Sequence, residues 1–79
     1  MANFNIEKEV SIGEDGYYKL CFQFGKYNYG DGDSECGYRF IWRRPNGTLQ
    51  AARGQTRIPS IANIHELLAM AFREGWDLH

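Results

Sequence analysis

With 79 residues, the chain has room for one small domain, 1–79, which excludes a two-domain enzyme with separate cofactor and substrate halves. Hydrophobic residues at 43% and aromatics at 15% exclude a disordered chain, and each ring brings about 150–250 Å² of surface to a small core. The net charge of −1 hides three blocks: residues 1–35 carry three Lys against seven acids, 36–65 five Arg and no acid, and 66–79 one Arg against three acids.

No apolar run approaches the roughly 20 residues of a membrane span, so no membrane partner is expected. The start, Met1-Ala2-Asn3-Phe4-Asn5-Ile6-Glu7, has neither the basic opening nor the hydrophobic stretch of a secretory signal. Cys21 and Cys36 can form at most one bridge, whereas small secreted domains are usually dense in disulfides. The expectation is a cytoplasmic protein with free thiols.

Along the chain, Phe4, Ile6 and Val10 share one parity, interrupted by Lys8, as in an edge or half-exposed strand. Gly13-Glu14-Asp15-Gly16 contains an Asp-Gly hairpin step. Tyr18, Leu20, Phe22 and Phe24 then alternate with Tyr17, Lys19, Cys21 and Gln23, the period of a strand with one buried face. Residues 25–37, with four Gly and three acids, read as a loop or an irregular hairpin end. Tyr38, Phe40 and Trp42 alternate with Arg39, Ile41 and Arg43, and Arg44-Pro45-Asn46-Gly47 is a turn. Thr48 to Arg53 is expected as a fourth strand, with Leu49 and Ala51 facing inward.

The last element is a helix. Ser60 after Pro59 is a good N-cap, and Ile58 stands where a staple residue belongs. Ile61, Ile64, Leu67, Leu68, Ala71 and Phe72 fall within about 140° at 100° per residue, one apolar stripe; Asn63 and Met70 point away from it. Gly75 suits a left-handed C-terminal position, with Trp76 folding back.

Together these predict an α+β fold: a four-stranded antiparallel β-meander with one C-terminal amphipathic helix packed on one face, in the order ββββα. The helix would cover Tyr18, Leu20, Phe22, Phe24, Tyr38, Phe40, Trp42 and Leu49. The opposite face would be left open.

That open face is the first candidate site, because Tyr17, Lys19, Arg39, Ile41 and Arg43 combine positive charge with flat or apolar surface. Such a face suits a protein contact, and also nucleic acid, where cations meet phosphates and rings stack on bases. Three features weigh against nucleic acid: Tyr17 is the only aromatic of that parity, Glu7 and Glu9 offset the cations, and the pI is near 6.1.

Asp31-Gly32-Asp33-Ser34-Glu35 starts like a calcium loop, but Cys36 replaces the required Gly and Trp42 the required Glu, so a hairpin end is expected. Tyr27 and Tyr29 are either loop contact residues or a cover for the core edge. Arg53-Gly54-Gln55-Thr56-Arg57 before the helix is a candidate anion site or a plain β-to-α connection. Neither Cys21 nor Cys36 is expected to find a base in His65 or His79, and no metal set has the right spacing.

The sequence therefore points to a non-enzymatic interaction module without catalytic residues or cofactors. It would use the open face or an edge strand to bind a protein partner or a second copy of itself. The alternative is a nucleic-acid-binding domain built on Lys19, Arg39, Arg43, Arg44, Arg53 and Arg57.

Overall fold

A computed structural model describes residues 3–50 and 56–76. Three strands, β1 (Asn3–Ile12), β2 (Lys19–Asn28) and β3 (Ser34–Arg43), form an antiparallel sheet in the order β1-β2-β3, followed by the helix α1 (Ile61–Arg73). The α+β class and the C-terminal helix are as expected.

Among the described residues no fourth strand forms. The turn at Pro45-Asn46-Gly47 does close, with Gly47 N–H donating to the Arg44 carbonyl at 2.8 Å and Arg44 N–H to that of Thr48 at 2.7 Å. Beyond it only the isolated bridge Arg43↔Leu49 forms. Side chains take over the backbone groups a ladder needs: Asn46 Oδ1 accepts from Thr48 N–H at 3.1 Å, and Arg44 donates to the Leu49 carbonyl at 2.9 Å. The rest of the expected strand, 51–53, lies outside the described residues.

The expected loop at 25–37 is mostly strand. β2 and β3 pair through it, Gly25 opposite Gly37 and Tyr27 opposite Glu35, leaving a short turn closed by Tyr29 N–H on the Asp33 carbonyl at 3.1 Å. Gly25 is needed there because β1 crosses it closely. A Cβ on Gly25 would run into the Asn5 carbonyl oxygen and lie 2.6 Å from the Phe4 ring. Glycine in a strand marks such an approach.

Opposite Gly25, β1 shifts register between Ile6 and Lys8, a bulge. Because side chains alternate with period two, this extra residue moves Phe4 and Ile6 to the other face from Val10 and Ile12. The three apolar residues that share a parity in the sequence therefore do not share a face. Val10 and Ile12 face the helix; Phe4 pairs with Tyr27 on the far side, their rings 4.6 Å apart and edge-on.

The helix starts and stops where its signals stand. Ser60 is extended (φ −154°), and its N–H donates to Asn63 Oδ1 at 3.2 Å. At the other end Trp76 N–H reaches the Ala71 carbonyl at 3.1 Å and Gly75 N–H that of Phe72 at 3.0 Å, with Gly75 at φ +79°. This is the Schellman closure, and it needs a residue that tolerates positive φ. It turns Trp76 back onto the sheet, where the indole is buried and stacks on Phe22 at 5.5 Å.

The core is Val10, Leu20, Phe22, Leu67, Ala71 and Trp76, bordered by Phe24, Tyr38, Phe40 and Trp42. The helix packs over β1 and β2, and Phe22 joins it to β3 through the rings of Phe40 at 4.8 Å and Tyr38 at 5.6 Å. The helix is rotated from the orientation its apolar pattern suggests. Leu67 and Ala71 are buried and Met70 packs against the core, while Ile61, Leu68 and Phe72 are exposed.

Candidate functional site

The sheet face away from the helix is not open. Cys21 and Gln23 are completely buried and Ile41 nearly so, at 0%, 0% and 4% exposure. Register places Glu9, Gln23 and Arg39 in one row across the three strands. Gln23 sits between the other two, donating from Nε2 to Glu9 Oε1 at 2.5 Å and accepting from Arg39 Nε at 2.8 Å. Arg43 reaches across from β3 to the same Glu9 oxygen at 2.6 Å and also donates to the Gly47 carbonyl at 2.6 Å. The Arg39 guanidinium lies 4.0 Å from the centre of the Phe4 ring. No buried side-chain nitrogen or oxygen among the described residues lacks a partner.

The electrostatics follow from this network. The Glu9 carboxylate holds the Arg43 guanidinium charged, raising its pKa, while burial lowers that of Arg39. Burial also raises the Cys21 thiol, with the Glu9 charge adding to it and Arg43 opposing. Cys21 is thus a protonated, apolar-like thiol, whereas Cys36 is free and exposed.

The sequence-derived candidates do not gather into one surface. Arg39, Ile41 and Arg43 share the closed face, and Lys19, opposite Arg43 in register, stands at its end. Lys19 is paired with Asp15 at 2.6 Å, which lowers the Asp15 pKa. Tyr17 stands in the β1–β2 turn at 66% exposure, ahead of the strand it was expected to join. Arg44 braces the next turn through Thr48 and Leu49. Arg57 is exposed, and its carbonyl accepts from Trp42 Nε1 at 2.8 Å. Arg53 and the rest of the 53–55 anion-site candidate lie outside the described residues. Tyr27 covers the sheet through Phe4, and Tyr29 is exposed at the hairpin tip. Residues 31–35 belong to that tip, where Asp31 accepts from Asp33 N–H at 3.0 Å. His65 is exposed on the helix, on the other side of the sheet from Cys21.

The sheet edges are also guarded. On the outer side of β3, Gln50 N–H donates to the Trp42 carbonyl at 2.8 Å and Thr56 Oγ1 to the Phe40 carbonyl at 2.9 Å. The outer edge of β1 carries the bulge together with exposed Glu7 and Lys8. Both are devices that discourage strand addition.

Two other surface features stand out. Ile61, Leu68 and Phe72 lie within about 40° of one another on α1, at 82%, 36% and 56% exposure. With His65 they follow the i, i+4, i+7, i+11 spacing of a helix that docks by one face. On the opposite flank, between α1 and the β1–β2 turn, lies a cavity of about 590 Å³ bounded by Ile12, Gly13, Glu14, Tyr18, Leu20, Trp42, Pro59, Asn63 and Glu66. The rotation of α1 that exposes the apolar stripe has no signal in the periodicity, which centres the stripe on the core.

Among the described residues, no helix is long and apolar enough to cross a membrane, and no cluster of three or more metal-ligating side chains occurs. The chain matches no protein-family profile, no curated protein and no solved structure.

Proposed function

We propose that the protein is a non-enzymatic interaction module that binds a protein partner, or a second copy of itself, through the outer stripe of α1. The observation that carries this reading is the exposure of Ile61, Leu68 and Phe72 on one line of a well-capped helix. Scattered exposed apolar residues need no explanation, but an aligned set on a rigid element is the usual form of a docking face. The sheet face and the edges are weaker candidates, because the first is closed by its own side chains and the second are bulged, charged or hydrogen-bonded.

The arginine-based alternative draws less support. The guanidinium groups of Arg39, Arg43 and Arg44 are engaged within the molecule, so meeting phosphates would mean giving up those bonds.

The test is sedimentation velocity and cross-linking of the protein against the double variant Ile61→Ser/Phe72→Ser, with circular dichroism as a check on folding. Association is expected in the parent, lost in the double variant and retained in Tyr17→Ser. Association that persists in the folded double variant would place the contact elsewhere.

A further inference from the structure

We infer that the cavity between α1 and the β1–β2 turn is a binding site for a protonated amine on an apolar stem. Its volume, about 590 Å³, lies within the roughly 300–1,000 Å³ of small-molecule sites. Its walls have two chemistries. Ile12, Trp42 and Tyr18 supply apolar and aromatic surface, which suits a hydrocarbon stem and attracts a cation to a ring face. Glu14 from the turn and Glu66 from the helix supply two carboxylates, and neither forms an ion pair or side-chain hydrogen bond among the described residues.

Among the described residues no Lys or Arg lines the cavity. The nearby Lys19 is held by Asp15 at 2.6 Å, so the two glutamates have no counter-ion among the described residues. The helix start beside the cavity would otherwise favour an anion. Here the Asn63 side chain caps it, and an anionic ligand would meet two like charges. The Trp42 indole is fixed by its bond to the Arg57 carbonyl, so this wall is formed before any ligand arrives. The inference is independent of the α1 stripe, which faces the other way.

Two sources offer this chemistry, a free alkylamine and the side chain of a lysine in a polypeptide. Isotope-labelled protein at neutral pH is titrated with n-butylammonium, with Nα-acetyl-lysine methylamide and with 1-pentanol as the neutral control, following backbone amide shifts. Saturable shifts are expected at Gly13, Glu14, Asn63 and Glu66 with both cations. Their binding is expected to be about three- to tenfold tighter than that of pentanol, as two partly solvated ion pairs supply. Tighter binding of the lysine derivative identifies a polypeptide source, and equal binding a free amine. The variant Glu14→Gln/Glu66→Gln should lose the preference for cations while keeping its affinity for pentanol. Pentanol binding as well as the cations, a preference that survives in the double variant, or no saturable shift would each overturn the inference.

Discussion

The two faces of the sheet are both buried at their centres, but by different means. On one face a helix and a returning tryptophan cover Leu20 and Phe22 with apolar surface. On the other, Gln23 and Cys21 are fully buried beside Glu9, Arg39 and Arg43, which bridge the three strands with their long side chains. The first face is driven by the hydrophobic effect and tolerates no loss of volume. The second relies on each polar group finding its partner, since a buried amide without one is costly. A three-stranded sheet with one helix thus avoids an open face without adding a second layer.

Substitutions on the two faces should separate these mechanisms. Trp76→Ala removes the largest side chain that closes the apolar face and is expected to destabilise by about 3–5 kcal/mol, read as a lower denaturation midpoint. A loss below about 1 kcal/mol would mean that the indole adds little to the core. Gly25→Ala should come next, at about 1–3 kcal/mol, because the obstacle to its Cβ includes the Asn5 backbone just before the bulge. In that variant the pairing of Phe4 with Tyr27 should loosen while the contact between Phe22 and Trp76 persists, visible as chemical-shift changes confined to one end of the sheet.

On the polar face, Glu9→Ala leaves the Gln23 amide and the Arg43 guanidinium without their common acceptor. We expect about 1–3 kcal/mol of destabilisation, and substantially less when Gln23 is replaced by Leu in the same chain, since the pair is coupled. Equal and additive losses would show that Gln23 and Glu9 do not act together. The smallest effect concerns chemistry rather than stability. At mildly alkaline pH Cys36 should react with a thiol reagent as an exposed cysteine does, and Cys21 only after denaturant is added. The direction follows from the complete burial of Cys21 and from its raised pKa, which leaves less of it as thiolate than an exposed cysteine has at the same pH. The same sign means that folding favours the protonated thiol, so its contribution to stability is present below the unfolded-state pKa and is lost as pH rises through the folded one.

What could be read from the sequence divides along physical lines. The helix was legible at both ends because Ser60, Gly75 and Trp76 act locally, through backbone geometry that neighbouring residues determine. The inward rows of β2 and β3 were legible because period-two alternation survives any register. The bulge was not, since Glu7 looks like any polar strand residue and only the close passage over Gly25 gives it a role. Glycines and acids at 25–37 read as a loop, but cross-strand pairing between Gly25 and Gly37 outweighs their weak strand propensity. The described part of the expected fourth strand, Thr48–Gln50, forms a single bridge and no ladder, with Leu49 its one apolar residue. For the candidate surface, the sequence placed Arg39 and Arg43 on one face with Glu9 to offset them, but not the Gln23 bridge from β2 that joins Glu9 to Arg39 and closes the face. The exposed stripe on α1 depends on a rotation of the helix that brings Leu67, Met70 and Ala71 to the core, which no single-helix pattern contains.

The central claim is that the second face is closed by its own polar network, and the side-chain amide protons of Gln23 report on it most directly. Their exchange with solvent, measured by NMR in the parent and in Glu9→Ala, should be slow in the parent and faster in the variant. Exchange in the parent at the rate of an exposed glutamine would contradict the account and return this face to the list of open surfaces.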